Sequence, residues 1–524
     1  MSLFDINVGF GRAAYPVGGS FDTPEQLLAE MQRLRIDAAL VYHQVAAEAD
    51  VLFGNRLLTE ALKGHPNLFP CWFMAPPVLG DLPEPEAWVA EALAAGVRAI
   101  RLAPRHSLYS LADWCVGPLL QAIERAGLPV LLDFGTPHWS ELAIPWSEVK
   151  ALCENHPQLN VIVVGATVGT ARNATSLLQH LPNLYLEYHT FNAPDTLRLF
   201  AEQGLGRKLV FGTGMPRRAG ECVVEQTLRS GLKPGPLLDM AGRTARGLLG
   251  VVEASGASQL SAAPFGRARG LVIDAHAHCG GWQRTNTFVR TPQAIVEAMH
   301  RAGVHKMVVS SFSAIQGATA EGNRQAAAIV AEYPSHLFAY CAVNPHYLNE
   351  MAGELARCFV DSPGFIGLKL HCGLHGVQLQ DPAYETALTF AQEHELPVLV
   401  HGGGEDDWAG VAQRYPAAAF IIAHGCSWDG LDPKGRALYA PVREVGNLYV
   451  DVAGSAAWRG ALRALIDLVG VRKVLYGSDF PMFDLAFELG RVSLSDLSDA
   501  EKVAISGGNA LRLFKRIPQD NALD

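Results

Sequence analysis

What this 524-residue chain lacks narrows its class before any motif is read. It has no excess of basic charge: the formal net charge is −10 and splits evenly between the two halves, so nothing asks for nucleic acid or an anionic membrane as partner. It has only nine cysteines, scattered without a C-x-x-C pair, as in a reduced cytoplasmic protein rather than a disulfide framework. No apolar run is long enough for a spanning helix, and the first residues, MSLFDINVGFGRAAYP, lack the basic region and apolar core of a signal peptide. At 49% hydrophobic and 18% charged residues the chain is not disordered, and its length reads as two globular domains of roughly 250 residues.

What it does have is a repeat. The stretch 271-LVIDAHAHCGG-281 has a faded copy in 2-SLFDINVGFG-11, where Asp5 is kept but Asn7 and Gly9 stand for His276 and His278. Collinear with it, 23-TPEQLLAEMQRLRIDAALVYHQ-44 matches 291-TPQAIVEAMHRAGVHKMVVSSF-312, 129-PVLLDFG-135 matches 397-PVLVHGG-403, and 207-RKLVFGTGMP-216 matches 472-RKVLYGSDFP-481. The order implies tandem duplication: one domain over 1–250, an Ala/Ser/Gly-rich linker over 251–270 and a second domain over 271–524. In the second half eight short apolar runs, from LVIDA at 271–275 to KVLYGSD at 473–479, alternate with amphipathic stretches. The expected fold is α/β, two tandem (β/α)8 TIM-like barrels. An open doubly wound sheet would need a Gly-rich turn after the first strand, where this chain has histidines.

In such a barrel the active site forms at the C-terminal ends of the strands. The second half places His276 and His278 after its first strand, His371 after the fourth, His401 after the fifth, His424 after the sixth and Asp479 after the eighth. Two histidines at i and i+2 on an extended segment project to one side. With His401 and Asp479 they offer imidazoles and a carboxylate, a set that suits Zn2+, with Mn2+ or Fe2+ as alternatives. A divalent ion with an open position brings its bound water to a pKa near 7, and an imidazole such as that of His424 titrates where a general acid or base is useful.

The H-A-H motif, the GLKLH, VLVHGG, IIAHG and LYGSDFP runs and the terminal 509-NALRLF-514 together resemble the metal-dependent amidohydrolase superfamily, in its amidohydrolase-related, aminocarboxymuconate semialdehyde decarboxylase-like branch. The resemblance covers the second half and, weakened, the first. It implies one metal ion held by His276, His278, His401 and Asp479, with His424 beside the water or substrate and Asp479 also moving a proton. Lys369 falls where two-metal relatives place a bridging lysine, and the pattern here is similar to the one-metal branch. Whether Lys369 faces the barrel interior or the helices is left open by the sequence.

At the corresponding positions the first half has Asn7, Gly9, Ala103, Asp133, Gly165 and Gly214, so only Asp133 could ligate and that barrel is expected to have lost its metal. A fused, degenerate barrel could pair with its neighbour, within the chain or in a homo-oligomer, and lend an arginine, for which Arg101, Arg217 and Arg218 are candidates. Trp282, Arg284, Trp408 and Trp428 lie on loops of the catalytic half and, with His371, are expected to line a pocket for a small organic substrate. Glu405, Asp406 and Asp407 make its mouth acidic. Three functions stay open: a hydrolase using metal-activated water on an amide, ester or lactone carbonyl, first in order; a non-oxidative decarboxylase of a carboxylated aromatic, for which Arg284 is the nearest cation; and a metal-stabilised binding protein.

Overall fold

The structure, a computed structural model, describes residues 2–135, 141, 143–252, 270–285, 289–402, 406–428, 430, 432–454 and 457–518. Among them each half of the chain forms an eight-stranded parallel sheet with strands in sequential order and helices between them. The first comprises β1 (Leu3–Phe10), β2 (Ile36–His43), β3 (Leu68–Phe73), β4 (Ala99–Leu102), β5 (Val130–Asp133), β6 (Val161–Val164), β7 (Leu184–Glu187) and β8 (Leu209–Val210). The second comprises β9 (Ile273–Cys279), β10 (Lys306–Ser311), β11 (Leu337–Ala342), β12 (Phe365–Leu370), β13 (Pro397–Val400), β14 (Ala419–Ile422), β15 (Leu448–Asp451) and β16 (Val474–Leu475). The chain divides into two compact units, one in each half. Residues 253–269 of the expected linker lie outside the described ones.

The duplicated sequence folds in duplicated ways. Helix Pro24–Arg33 starts on Thr23, whose hydroxyl caps Gln26 N at 3.4 Å, and helix Pro292–Ala302 starts on Thr291, which caps Ala294 N at 3.2 Å; each has proline in its first turn. The second stops at Gly303 in the left-handed region (φ 81°), and the first makes the same turn with Arg35 (φ 55°). Each barrel is filled from inside by side chains contributed by most of its strands. In the second, Ile273, Ala275, Val308, Tyr340, Ile366, Leu399, Ile421 and Leu475 pack with Phe514 and Ile517 from the chain's end. A larger apolar layer separates the strands from the helices.

The seam between last and first strand closes each barrel. Backbone bonds run from Ile6 N to Phe211 O (3.0 Å) and Gly9 N to Met215 O (2.9 Å), and in the second unit from Ala275 N to Tyr476 O (3.0 Å) and Ser478 N to His276 O (3.2 Å). A buried carboxylate reinforces both. Asp5 accepts from Asn7 N (2.9 Å), Thr213 N (3.1 Å) and Thr213 Oγ1 (2.5 Å). Asp274 accepts from His276 N and Ser478 N, both at 3.1 Å, and from the Ser478 hydroxyl. In the faded copy Asp5 thus has a structural role that needs no metal. Replacing either aspartate by alanine strands several buried donors, so Asp5→Ala and Asp274→Ala are each expected to destabilise their barrel by about 3 kcal/mol or more, read as a lowered midpoint in urea unfolding followed by circular dichroism.

Candidate metal centre

At the mouth of the second barrel β9 delivers two histidines to one point. A register shift against β10, between Asp274 and Ala277, interrupts the alternation just there. His276 gives its Nδ1 to Asp451 Oδ2 (2.9 Å) and His278 its Nδ1 to Ser310 Oγ (2.9 Å), which orients both rings and leaves each Nε2 for an ion. Asp479, after β16, completes the group: its Oδ1 lies 2.9 Å from His278 Nε2 and 3.6 Å from His276 Nε2. His276, His278 and Asp479 bring their ligand atoms within 4.8 Å of one another. All three are buried.

The electrostatics fit a divalent cation. Burial, with Lys369 nearby, holds His276 well below its ordinary pKa, and burial also lowers His278, so both are neutral ligands. Burial alone would raise the Asp479 carboxyl, yet the His278 hydrogen bond and the surrounding imidazoles hold it well below the usual carboxylate range. It therefore stays ionised, as a metal ligand requires.

The remaining histidines form a second tier. His424 follows β14 in left-handed backbone (φ 67°); its N–H bonds Asp451 Oδ1 (3.0 Å), its Nδ1 faces Ala453 O (3.1 Å), and its Nε2 lies 3.4 Å from His401 Nδ1. With Nδ1–H given to a carbonyl, Nε2 is the ring nitrogen left for other partners. His401 is not part of the compact group: its ring centre is 6.4 Å from that of His276, and it stacks on His371 at 4.0 Å. His371 uses Nδ1 to cap Leu374 N (3.1 Å), and burial lowers it to about 2.

Three residues outside the expected donor set are central: Lys369, whose orientation the sequence left open, and Asp451 and Ser310, which it did not single out. Lys369 on β12 points into the mouth, with Nζ 3.1 Å from His276 Nε2, and burial brings its ammonium down to about 8. Asp451 holds both His276 and His424, and Ser310 holds His278. A carboxylate ending the LYVD run was the one available signal for Asp451.

The expected pocket is only partly assembled. Trp282 packs 5.7 Å from Phe312, which stacks on His278 at 4.5 Å, making an aromatic wall down to the donor group. Arg284 is exposed, 6.0 Å from the Trp282 ring, and the buried cation of the mouth is Lys369. Trp408 and Trp428 are both buried and pack around Tyr439, with ring centres 5.9 and 6.4 Å from its ring. Glu405 lies outside the described residues.

In the first barrel the same positions are refilled. A Cβ on Gly9, the counterpart of His278, would lie 2.6 Å from the Tyr42 ring, and one on Gly214, the counterpart of Asp479, 2.7 Å from His189. Arg101, the counterpart of Lys369, is fully buried, bonds Asp133 Oδ2 (2.9 Å) and Asn7 Oδ1 (2.7 Å), and sits 4.5 Å over Tyr42. Asp133, the one carboxylate left, is thus taken by a guanidinium. The arginines considered as donors to another site are in use locally: Arg101 as described, Arg217 on Glu48 at 2.7 Å, and Arg218 buried. Gly165 and Gly214 keep the positive φ (89° and 68°) that His424 and Asp479 (59°) adopt at the cost of strain.

Barrel and donor group together define a metal-binding (β/α)8 protein of amidohydrolase type. The sequence matches the amidohydrolase family (Amidohydro_2) over residues 9–229 and 273–516, and the chain belongs to that family, once in each half. No curated protein matches it. Solved structures similar to it include 5-carboxyvanillate decarboxylase from Novosphingobium aromaticivorans, crystallised with manganese and a nitrobenzoic acid (14% identity, 47% of this chain and 97% of that one, TM-score 0.39). Others are an amidohydrolase from Staphylococcus aureus (17%, 47% and 99%, 0.39) and 2,6-dihydroxybenzoate decarboxylase from Rhizobium (15%, 47% and 98%, 0.38).

Metal analysis by mass spectrometry is expected to give one equivalent per chain, lost in Asp479→Ala and Asp479→Gly alike; retention of the metal in both variants would move it to the second donor group, His276, His424 and Asp451. Because glycine relieves the left-handed backbone, Asp479→Gly is expected to be about 1 kcal/mol more stable than Asp479→Ala. Asp451→Asn, which weakens the hold on His276, is expected to lower metal affinity about 10- to 100-fold in chelator competition.

Proposed function

We propose that the second barrel is a divalent-metal-dependent, non-oxidative decarboxylase of a small carboxylated aromatic, and that the first barrel carries no catalytic metal. The observation that carries the reading is Lys369, a buried ammonium beside the donor group, where a substrate carboxylate needs a cation. This revises the first-ranked sequence reading, hydrolysis of a carbonyl, and replaces Arg284 as the cation. A zinc or manganese ion on His276, His278 and Asp479 would supply Lewis-acid charge that draws in the substrate's oxygen atoms.

The chain's own residues do the rest. Lys369 pairs with the carboxylate and sets its orientation. Phe312 and Trp282 flank the ring on one side and exclude water from it. His424, anchored through Nδ1 to Ala453, delivers a proton from Nε2 to the ring carbon as the bond to the carboxyl carbon breaks. Carbon dioxide leaves, and the electron pair of the broken bond takes up that proton. His371, stacked on His401, offers its Nε2 to a ring substituent. The same His424 Nε2 could instead take a proton from water, and that favours the hydrolase as second reading.

The test is to incubate the zinc- or manganese-loaded protein in D2O with hydroxybenzoates and, separately, with aryl esters and lactones. Release of carbon dioxide with one deuterium at the vacated ring carbon is expected, and His424→Ala should lower kcat about 10^2- to 10^4-fold. Ester or lactone turnover without release of carbon dioxide from any acid would overturn the decarboxylase in favour of the hydrolase.

A further inference from the structure

The helix that follows the last strand is nine residues long in both barrels, Gly220–Leu228 in the first and Leu485–Ser493 in the second, and the two keep the register of the RK-to-P repeat just before them. In the second helix every residue is buried, and it carries an ion pair, Arg491 Nη2 with Glu488 Oε2 at 2.9 Å. At the same two positions the first helix has Gln226 and Val223. Burying two charges costs desolvation, and the barrel fold does not demand it, because the first copy forms the same helix without them.

The rest of the Arg491 fork points at the surroundings of His424. Nη1 donates to Val452 O (2.8 Å), Nη2 to Gly454 O (2.5 Å), and the guanidinium also bonds the thiol of Cys426. Val452 and Gly454 flank Ala453, whose own carbonyl takes His424 Nδ1 at 3.1 Å, and Cys426 lies two residues beyond His424. One guanidinium thus ties down both the segment that holds the imidazole and the turn that carries it, a task for a planar fork rather than for the single ammonium of lysine. The fit is close: a Cβ on Gly454 would lie 3.4 Å from His424 Nδ1 and 3.2 Å from Ser427 Oγ. His424 also sits in left-handed backbone (φ 67°), which persists only where its surroundings hold it. The first barrel has Gly165 in place of His424 and no imidazole there to hold.

We propose that Arg491, paired with Glu488, is a positioning residue for His424: it fixes the 452–454 segment and the turn at Cys426 so that Ala453 O holds His424 Nδ1 and leaves Nε2 for the substrate. The consequence for turnover rests on the proton transfer assigned to His424 above; the hold on the ring does not.

The test is the double variant Glu488→Val with Arg491→Gln, which gives the second helix the pair of the first and leaves no lone buried charge, so the fold is expected to persist. In the zinc-loaded full chain, nitrogen-15 resonances of the His424 ring, assigned by their absence from His424→Ala, are expected to report one form protonated on Nδ1. In the double variant the two nitrogen shifts are expected to move toward each other as tautomers mix, with zinc content unchanged. With the substrate the protein turns over, kcat is expected to fall about 10- to 100-fold while KM stays within about threefold, and no further fall is expected when the double variant is added to His424→Ala. Unchanged His424 shifts would overturn the proposal. So would loss of zinc, or a further fall in kcat on top of His424→Ala, since either gives the pair a wider structural role. The resonances test the hold on His424 and wild-type turnover tests the decarboxylase reading, so each can fail without the other.

Discussion

Everything at either mouth depends on how the barrel is closed. The last strand of each barrel is only two residues long, so the ladder to the first strand is thin. A buried aspartate at the start of the first strand compensates by taking backbone and hydroxyl donors from the segment that follows the last one. Once the seam is fixed, the eight strand ends converge, and residues 201 positions apart, His278 and Asp479, meet at 2.9 Å. Burial pushes the carboxyl of Asp5 up to about 6 and that of Asp274 up to about 8.

The two mouths then show one backbone serving two electrostatic designs. In the second barrel neutral imidazoles and one ionised carboxylate leave room for an external cation, with Lys369 beside them. In the first, Arg101 builds the cation into the protein and consumes Asp133. Strain follows the same division: left-handed backbone is kept by His424 and Asp479 where their side chains have work, and is handed to Gly165 and Gly214 where they do not. The fold persists because seam and core are shared; the chemistry differs because a few strand-end side chains do.

Much of this was legible in the sequence. Apolar runs at regular spacing marked the strands, the T-P starts marked helices in both copies, and the collinear matches marked the duplication. His276, His278 and Asp479 could be placed at one mouth because a parallel barrel sends all its strand ends there. The packing of Trp408 and Trp428 around Tyr439 was not legible, since an aromatic residue on a loop looks the same in sequence whatever its ring packs against.

The order of residues by itself determined the barrel, its repetition and the donor types at each strand end, because these follow from periodicity and from which side chains are present. Tertiary structure decided which donors meet. The inward turn of Lys369, the separation of His401 from the compact group and the anchoring of His276 and His424 by one aspartate all depend on ring orientations set by neighbours on other strands. Refilling of the first mouth by Tyr42, His189 and Arg101 was hidden for the same reason: each occupies space vacated by a residue distant in sequence, and only packing in three dimensions relates the two.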